Sequence, residues 1–466
     1  MARERGTLIL SRWPALLLPL LLLGLAGCSS LPTIVPDLAR TRAAPVQLVG
    51  SQGLLSAGRS KAILAGLQAP GEDTGIFDRH LALEESIVGS PLTTGNAVRL
   101  LEDGPATYRA MLAAMAAARD HINMQTYILD DDEVGRHFAE VLISKQQQGV
   151  QVNLIRDSVG TLSTPLAFFE RLAASGISIV EFNPVNPLKL KKDWQLNQRD
   201  HRKLLVVDGQ TAFLGGINIS SVYSSGSSVR GAPPQADLAW RDTDLQLQGP
   251  VVAELQKLFI ASWESQRGPA LAPRNYFPRP LPGGRQVVRA IGSAPDDPFS
   301  LIYATLLSAI TNAETSILIS NAYFAPDPQL LAALQAAARR GVDVTLILPG
   351  KTDSMLVFHA GRAHYTPLLE AGVKIYERRG AILHSKTALI DGVWATVGST
   401  NLDWRSFLHN HELNAVVLGV EFGQQLRALF ERDLAASEQI TLQAWQQRQL
   451  HLRLLEVFAD AWAYWL

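Results

Sequence analysis

The stretch HRKLLVVDG (residues 201–209) returns 183 residues later as HSKTALIDG (residues 384–392), both in the frame His-x-Lys-x-x-x-x-Asp-Gly. In an extended strand, side chains two apart share a face, so His201 and Lys203 point the same way, as do His384 and Lys386. Asp208-Gly209 and Asp391-Gly392 have the composition of a tight hairpin turn. With a two-residue loop, Val207 pairs with Gln210, which puts His201 opposite Gly216 and His384 opposite Ser399. Asn218 and Asn401 then lie on the His/Lys face of the return strands, each 17 residues beyond its histidine. Each half is expected to present His, Lys and Asn together, with a small residue opposite the histidine leaving room for a ligand. Asp208 and Asp391 fall at the turn with the other parity and read as structural, not as general bases.

The order of elements around the motifs also repeats. The first half offers the Ala-rich helix ATYRAMLAAMAAARD, the strand INMQTYIL, a helix ending at Gly149, and the strands VQVNLI and ISIVEF. The second half offers YATLLSAITNAE, SILISNAYF, a helix ending at Gly341, VDVTLIL and VKIYE. Alternating helical and β-rich runs predict α/β layers with helices covering a sheet. The period is far longer than a solenoid unit, so it marks a duplicated domain. Residues 91–270 and 285–440 form the two expected domains, joined by the Pro-rich RGPALAPRNYFPRPLPGG (267–284). The first half carries an insertion, NPVNPLKLKKDWQLNQRD, just before its motif. Lys189, Lys191 and Lys192 in it would suit anionic headgroups, a solvated loop being the ordinary alternative. Residues 441–466 read as a C-terminal amphipathic helix with Leu454, Phe458, Trp462 and Trp465 on one face. That pattern suits either a membrane interface or packing on the core.

Composition narrows the class. The chain has 466 residues, 47% hydrophobic and 18% charged, as in ordinary globular proteins. A formal net charge of −1 offers no global basic field for nucleic acid, and no stable nucleic-acid partner is expected. Arg3, Arg5 and Arg12 precede the apolar run PALLLPLLLLGLAG, which is short for a membrane span and ends at Cys28, the single cysteine. Leu25-Ala26-Gly27-Cys28 resembles the lipobox of bacterial lipoproteins. That resemblance implies a signal peptide over residues 1–27 and lipidation of Cys28, with a plain signal peptide or an N-terminal anchor as the alternative. Residues 28–90 then form a tether and helical lead-in. Ser29 stands where an Asp would mark inner-membrane retention, so the expected location is the cell envelope, lipid-anchored on the periplasmic side, leaning to the outer membrane.

The duplicated motif resembles that of the phospholipase D superfamily, across roughly residues 90 to 440. The resemblance implies two tandem α-β-α sandwich domains related by pseudo-twofold symmetry, with one active site between them. It further implies a phosphohistidine intermediate on one histidine (His201 by family precedent) and acid–base work by His384. Lys203, Lys386, Asn218 and Asn401 would hold the phosphoryl oxygens, with Ser399 as a further phosphate contact. An acidic residue further down each half would orient the histidines, and Asp242 and Glu412 match. No metal or other cofactor is implied. His359 and His364, without paired counterparts, read as structural, with cleft lining as the alternative. TYILDDDEVGRHFAEVL, HRKLLVVDGQTAFLGGINIS and WRDTDLQLQGP look like bacterial cardiolipin synthases. The expected activity is therefore phosphatidyl transfer on phosphatidylglycerol and related lipids at a membrane surface. Phospholipase D hydrolysis and an extracytoplasmic nuclease are the alternatives. The oligomeric state is not legible. Cardiolipin synthases often carry two N-terminal membrane helices, whereas this chain has the one short apolar segment.

Overall fold

Leu204-Leu205-Val206-Val207 is apolar at every position because both faces of its strand are covered. Leu204 and Val206 join one hydrophobic cluster, Leu205 and Val207 the other. Such a strand lies between two helical layers, where alternation with polar residues is lost. The computed structural model describes residues 33–36, 44–68, 75–185, 197–224, 239–281 and 283–465, and residues 35–466 form one compact unit. The expected signal segment with Cys28 and the Lys189–Lys192 stretch lie outside the described residues.

A helix α1 (Ile76–Ile87) leads in. The first half then runs β1 (Leu92–Leu101), α2 (Gly104–Ala117), β2 (His121–Thr126), α3 (Glu133–Gln147), β3 (Gln151–Asp157), α4 (Leu166–Ala174) and β4 (Ser178–Phe182). Its motif region follows as β5 (Arg199–Asp200), β6 (Leu204–Val207), β7 (Thr211–Gly215), β8 (Trp240–Arg241), β9 (Asp244–Gln248) and α5 (Val251–Ser265). The second half repeats this with β10 (Gln286–Ser293), α6 (Leu301–Asn312), β11 (Ser316–Asn321), α7 (Pro328–Arg339), β12 (Asp343–Pro349), α8 (Met355–Ala363) and β13 (Lys374–Arg378). It closes with β14 (Ile382–Leu383), β15 (Lys386–Ile390), β16 (Trp394–Gly398), β17 (Asn410–Leu418), α9 (Val420–Ala435), β18 (Ser437–Ile440) and α10 (Leu450–Asp460). Helix starts follow local chemistry: the side chains of Asp103, Asp132, Ser300 and Asp327 cap α2, α3, α6 and α7 by accepting first-turn N–H groups.

The strands form one sheet in the order β4-β3-β2-β6-β7-β9-β1-β10-β17-β16-β15-β11-β12-β13-β18. Outward from the antiparallel β1–β10 junction the two halves read alike, which is the pseudo-twofold arrangement. On one face α5 and α9 cover a core common to both halves, with Phe259, Trp263, Phe422 and Phe430 over Leu245, Val288, Val397 and Leu413. On the other face of the first half, Met111, Met115, Phe138 and Phe168 pack on Ile122, Val152 and Leu205.

One expectation is corrected. The hairpin loops have three residues, because Val207 pairs with Thr211 and Ile390 with Trp394, so the register slips by one. Asp208 and Asp391 adopt left-handed backbone (φ 52° and 50°), and their carboxylates reach back to the strand beside them. Asp208 accepts from the N–H groups of Arg119, Asp120 and His121; Asp391 accepts from those of Glu314, Thr315 and Ser316. The helix α1, within the expected lead-in, packs on the second half. Glu84, fully buried, lies 3.2 Å from the Arg289 guanidinium and accepts from Trp394 Nε1, while His80 meets Ser308. The Pro-rich connection is pinned to the first half. Asn275 N donates to Asp120, and the Tyr276 ring lies 4.6 Å from that of His121.

Candidate active site

Two short parallel bridges build the centre. β5 runs beside the start of β17, pairing Arg199 with Asn410 and Asp200 with His411. β8 runs beside β14, pairing Trp240 with Ile382 and Arg241 with Leu383. One residue further on, His201 N donates to the His411 carbonyl at 3.0 Å and His384 N to the Arg241 carbonyl at 2.7 Å. The next side chains in each strand pair therefore meet. His201 Nδ1 lies 3.1 Å from both Glu412 carboxylate oxygens, and His384 Nδ1 lies 2.6 Å from Asp242 Oδ2. The two acids expected one per half are thus crossed: each half orients the histidine of the other. With Nδ1 held by a carboxylate, Nε2 is left for chemistry at both rings. Both histidines line one cleft of about 410 Å³.

Burial governs the charges. It pushes His201 below the usual imidazole range, Glu412 opposing and Lys203 assisting. It pushes His384 well below that range, helped by Lys386 and Lys203. Lys203 and Lys386 are almost fully buried, each donating from Nζ to the carbonyl of its own motif histidine. Burial drives Lys203 down to about 7 and Lys386 to about 8, against Glu412 and Asp242 respectively. The acids differ. Burial lifts Asp242 to about 6 despite Lys386. At Glu412 burial is outweighed by His201, Lys203 and the Ser399 hydroxyl, which hold the carboxyl below its usual value.

Ser399 is accordingly not a cleft residue. Its hydroxyl donates to Glu412 and accepts from Leu413 N at 3.0 Å. The first half has Gly216 there, and a Cβ on it would sit 2.7 Å from Asp242 Cγ. The small residues expected to leave room for a ligand instead make room for the orienting carboxylates. Asn218 lines the cleft with its amide engaged, Nδ2 to the Tyr223 hydroxyl and Oδ1 to Ile128 N, both at 3.1 Å. Asn401 lines it with Oδ1 unpartnered. His359 is buried against the Phe358 ring, and His364 lies 3.0 Å from Asp460.

A family model described as cardiolipin synthase, PLD-like domain matches residues 111–225 and 306–434, one segment in each half. The chain belongs to this family. The cardiolipin synthase of Geobacillus kaustophilus (strain HTA426) is 35% identical over 378 residues, 81% of this chain and 74% of that protein. The major cardiolipin synthase of Bacillus subtilis (strain 168) is 34% identical over 368 residues, 78% and 74% of the two chains. Among solved structures, phosphatidylserine synthase of Haemophilus influenzae Rd KW20 superposes with a TM-score of 0.61 at 14% identity, covering 82% of this chain and 96% of that one. That likeness is one of fold.

Within this PLD-like centre stand residues the sequence did not single out. The Tyr127 ring lies 5.1 Å from the His201 ring and 5.2 Å from Lys203 Nζ; Tyr323 lies 6.0 Å from His384 and from Lys386 Nζ. Tyr127 comes one residue after its parallel strand in INMQTYIL and Tyr323 two after its own in SILISNAYF, so an aromatic just past each strand was the available signal. Trp240, 4.8 Å from the His384 ring, and the cations Arg199 and Arg405 also line the cleft. None has a counterpart in the other half, so the repeat carried no signal for them.

Proposed function

We propose that this protein is a phosphatidyltransferase of the cardiolipin synthase type, acting on phospholipid phosphodiesters at a membrane surface without a cofactor. The observation that carries this reading is the pair of crossed His–carboxylate units of unlike acidity facing one cleft. Neutral His201 attacks the phosphorus of phosphatidylglycerol through Nε2, and the P–O bond to glycerol breaks. The ring becomes cationic as the P–N bond forms, and ionised Glu412 compensates that charge. His384, which shares a proton with Asp242, protonates the leaving glycerol oxygen. It then takes the proton from the hydroxyl of a second phosphatidylglycerol, whose oxygen attacks phosphorus as the P–N bond breaks. The products are cardiolipin and glycerol. Lys203, Lys386, Asn218 and Asn401 stabilise the phosphoryl oxygens. Water as acceptor would give phosphatidic acid instead.

Labelled phosphatidylglycerol and, separately, DNA test the reading. Cardiolipin with released glycerol supports it, and DNA cleavage without lipid turnover overturns it. His201→Asn abolishes turnover, and full activity in that variant refutes the assigned nucleophile. On the same reading Cys28 carries the lipid anchor in the cell envelope, so labelled palmitate enters the wild-type chain and not Cys28→Ser.

A further inference from the structure

The cleft opens where the parallel strands end: Tyr127 follows β2, Tyr323 follows β11, and Asp353, Ser354 and Val357 follow β12. Both halves place exposed apolar side chains in the corresponding loops. After β3 come Val159, Leu162 and Leu166, with Leu162 70% exposed; after β12 come Met355 and Leu356. The second half adds the outer face of α10, where Leu450, Leu454, Val457 and Phe458 recur at helical spacing and stay exposed. α10 is nonetheless docked, since Glu456 and Ala459 are buried and Arg448 pairs with Glu456 at 2.8 Å. The chain then turns through Trp462 to Trp465, which is 66% exposed and also lines the cleft.

Charge sorts the same way. Of the two acids of α10, Glu456 is buried against Arg448, and Asp460, its side chain 42% exposed, pairs with His364. The exposed charged or titratable groups of the helix are Arg453 and His451. A core-packing helix buries its apolar stripe, whereas this one exposes the stripe beside Arg453 and holds both of its acids in pairs. Trp462 and Trp465, amphipathic rings at the end of that face, suit the headgroup level of a bilayer.

We infer that α10 with the Trp462–Trp465 turn, opposed across the cleft mouth by the Val159–Leu166 loop, is the surface that seats the active site on an anionic phospholipid bilayer. Acyl chains of the substrate stay in the membrane while the phosphodiester enters past Trp465. This inference rests on the phospholipid reading and adds where the lipid enters.

The test uses the full-length enzyme on phosphatidylglycerol in two forms, as vesicles and as a short-chain analogue dispersed below its micellar concentration. The variant L454S/V457S/F458S changes only exposed positions outside the cleft wall. It loses about tenfold or more of vesicle turnover and keeps the dispersed-substrate rate, which also reports intact folding. Leu162→Ser, in the other half, lowers the same ratio. Lipids brominated on the acyl chain quench emission in the wild type, and Trp462→Phe removes part of that quenching. Full vesicle turnover by the triple variant, or equal quenching with and without Trp462, overturns the docking surface. Failure of the unaltered enzyme to turn over either form overturns the phosphatidyltransferase reading, with the quenching still reporting whether α10 meets lipid.

Discussion

Ser399 and Gly216 occupy matching places, and that difference helps separate the two His–carboxylate pairs. Glu412 receives the Ser399 hydroxyl and, at 3.2 Å, the Asn410 amide. Asp242 has the Thr243 N–H and nothing that corresponds to the serine. Removing the donor with Ser399→Gly raises the Glu412 pKa by about one to two units, the worth of a hydrogen bond to a charged group. The acid limb of kcat/KM moves to higher pH accordingly, which a pH–rate profile reads directly. The lysines carry a second prediction. Burial lowers Lys203 from 10.5 to about 7, so between those values the unfolded chain holds a proton that the folded chain lacks. Wild-type stability therefore rises with pH across that window. Lys203→Met removes the part of the slope between pH 7 and 8 and lessens it above, where Lys386 still contributes, while abolishing turnover. Urea unfolding at several pH values checks it. In the wild type kcat/KM falls as pH rises through about 7 to 8, where Lys203 and Lys386 lose their charge.

At the scale of elements, the motif aspartate is a staple between a hairpin and its neighbouring strand. Three successive N–H groups at the start of β2, and three at the start of β11, have one carboxylate as acceptor. Asp208→Ala removes that acceptor and costs about 1–3 kcal/mol, with kcat at low temperature nearly unchanged; urea midpoints and initial rates separate the two effects. The sequence suggested a structural role through parity alone. It did not yield the three-residue loop, because the extra residue follows from the carboxylate reaching a strand some 90 residues earlier in the chain. The packing of α1 was illegible for a like reason. The partners of His80, Glu84 and Glu85, namely Ser308, Arg289 and Trp394, lie more than 200 residues away. The duplicated frame, by contrast, was legible from spacing, since a repeat in which His, Lys, Asp-Gly and Asn keep their offsets needs no knowledge of distant contacts.

Across the whole molecule, the joint sheet and the two parallel bridges make the halves interdependent. Neither half holds a complete His–acid pair, so the crossing makes a prediction that pairing within halves would reverse. Asp242 belongs to the first half but orients His384, which protonates the leaving group in the proposed mechanism. With phosphatidylglycerol as donor, Asp242→Asn lowers the rate by about 10²- to 10⁴-fold, the usual contribution of general acid catalysis. A phosphatidyl ester of p-nitrophenol leaves without protonation, so the same variant regains most of the wild-type rate on it. Glu412→Gln, which disturbs the attacking His201, stays impaired on both donors because its loss lies in nucleophilic attack. Single-turnover rates of release on the two donors read this directly. Rescue of Glu412→Gln in place of Asp242→Asn would mean that His384 attacks and His201 protonates. Rescue of neither would mean that Asp242 acts on the attack step itself and not through protonation of the leaving group.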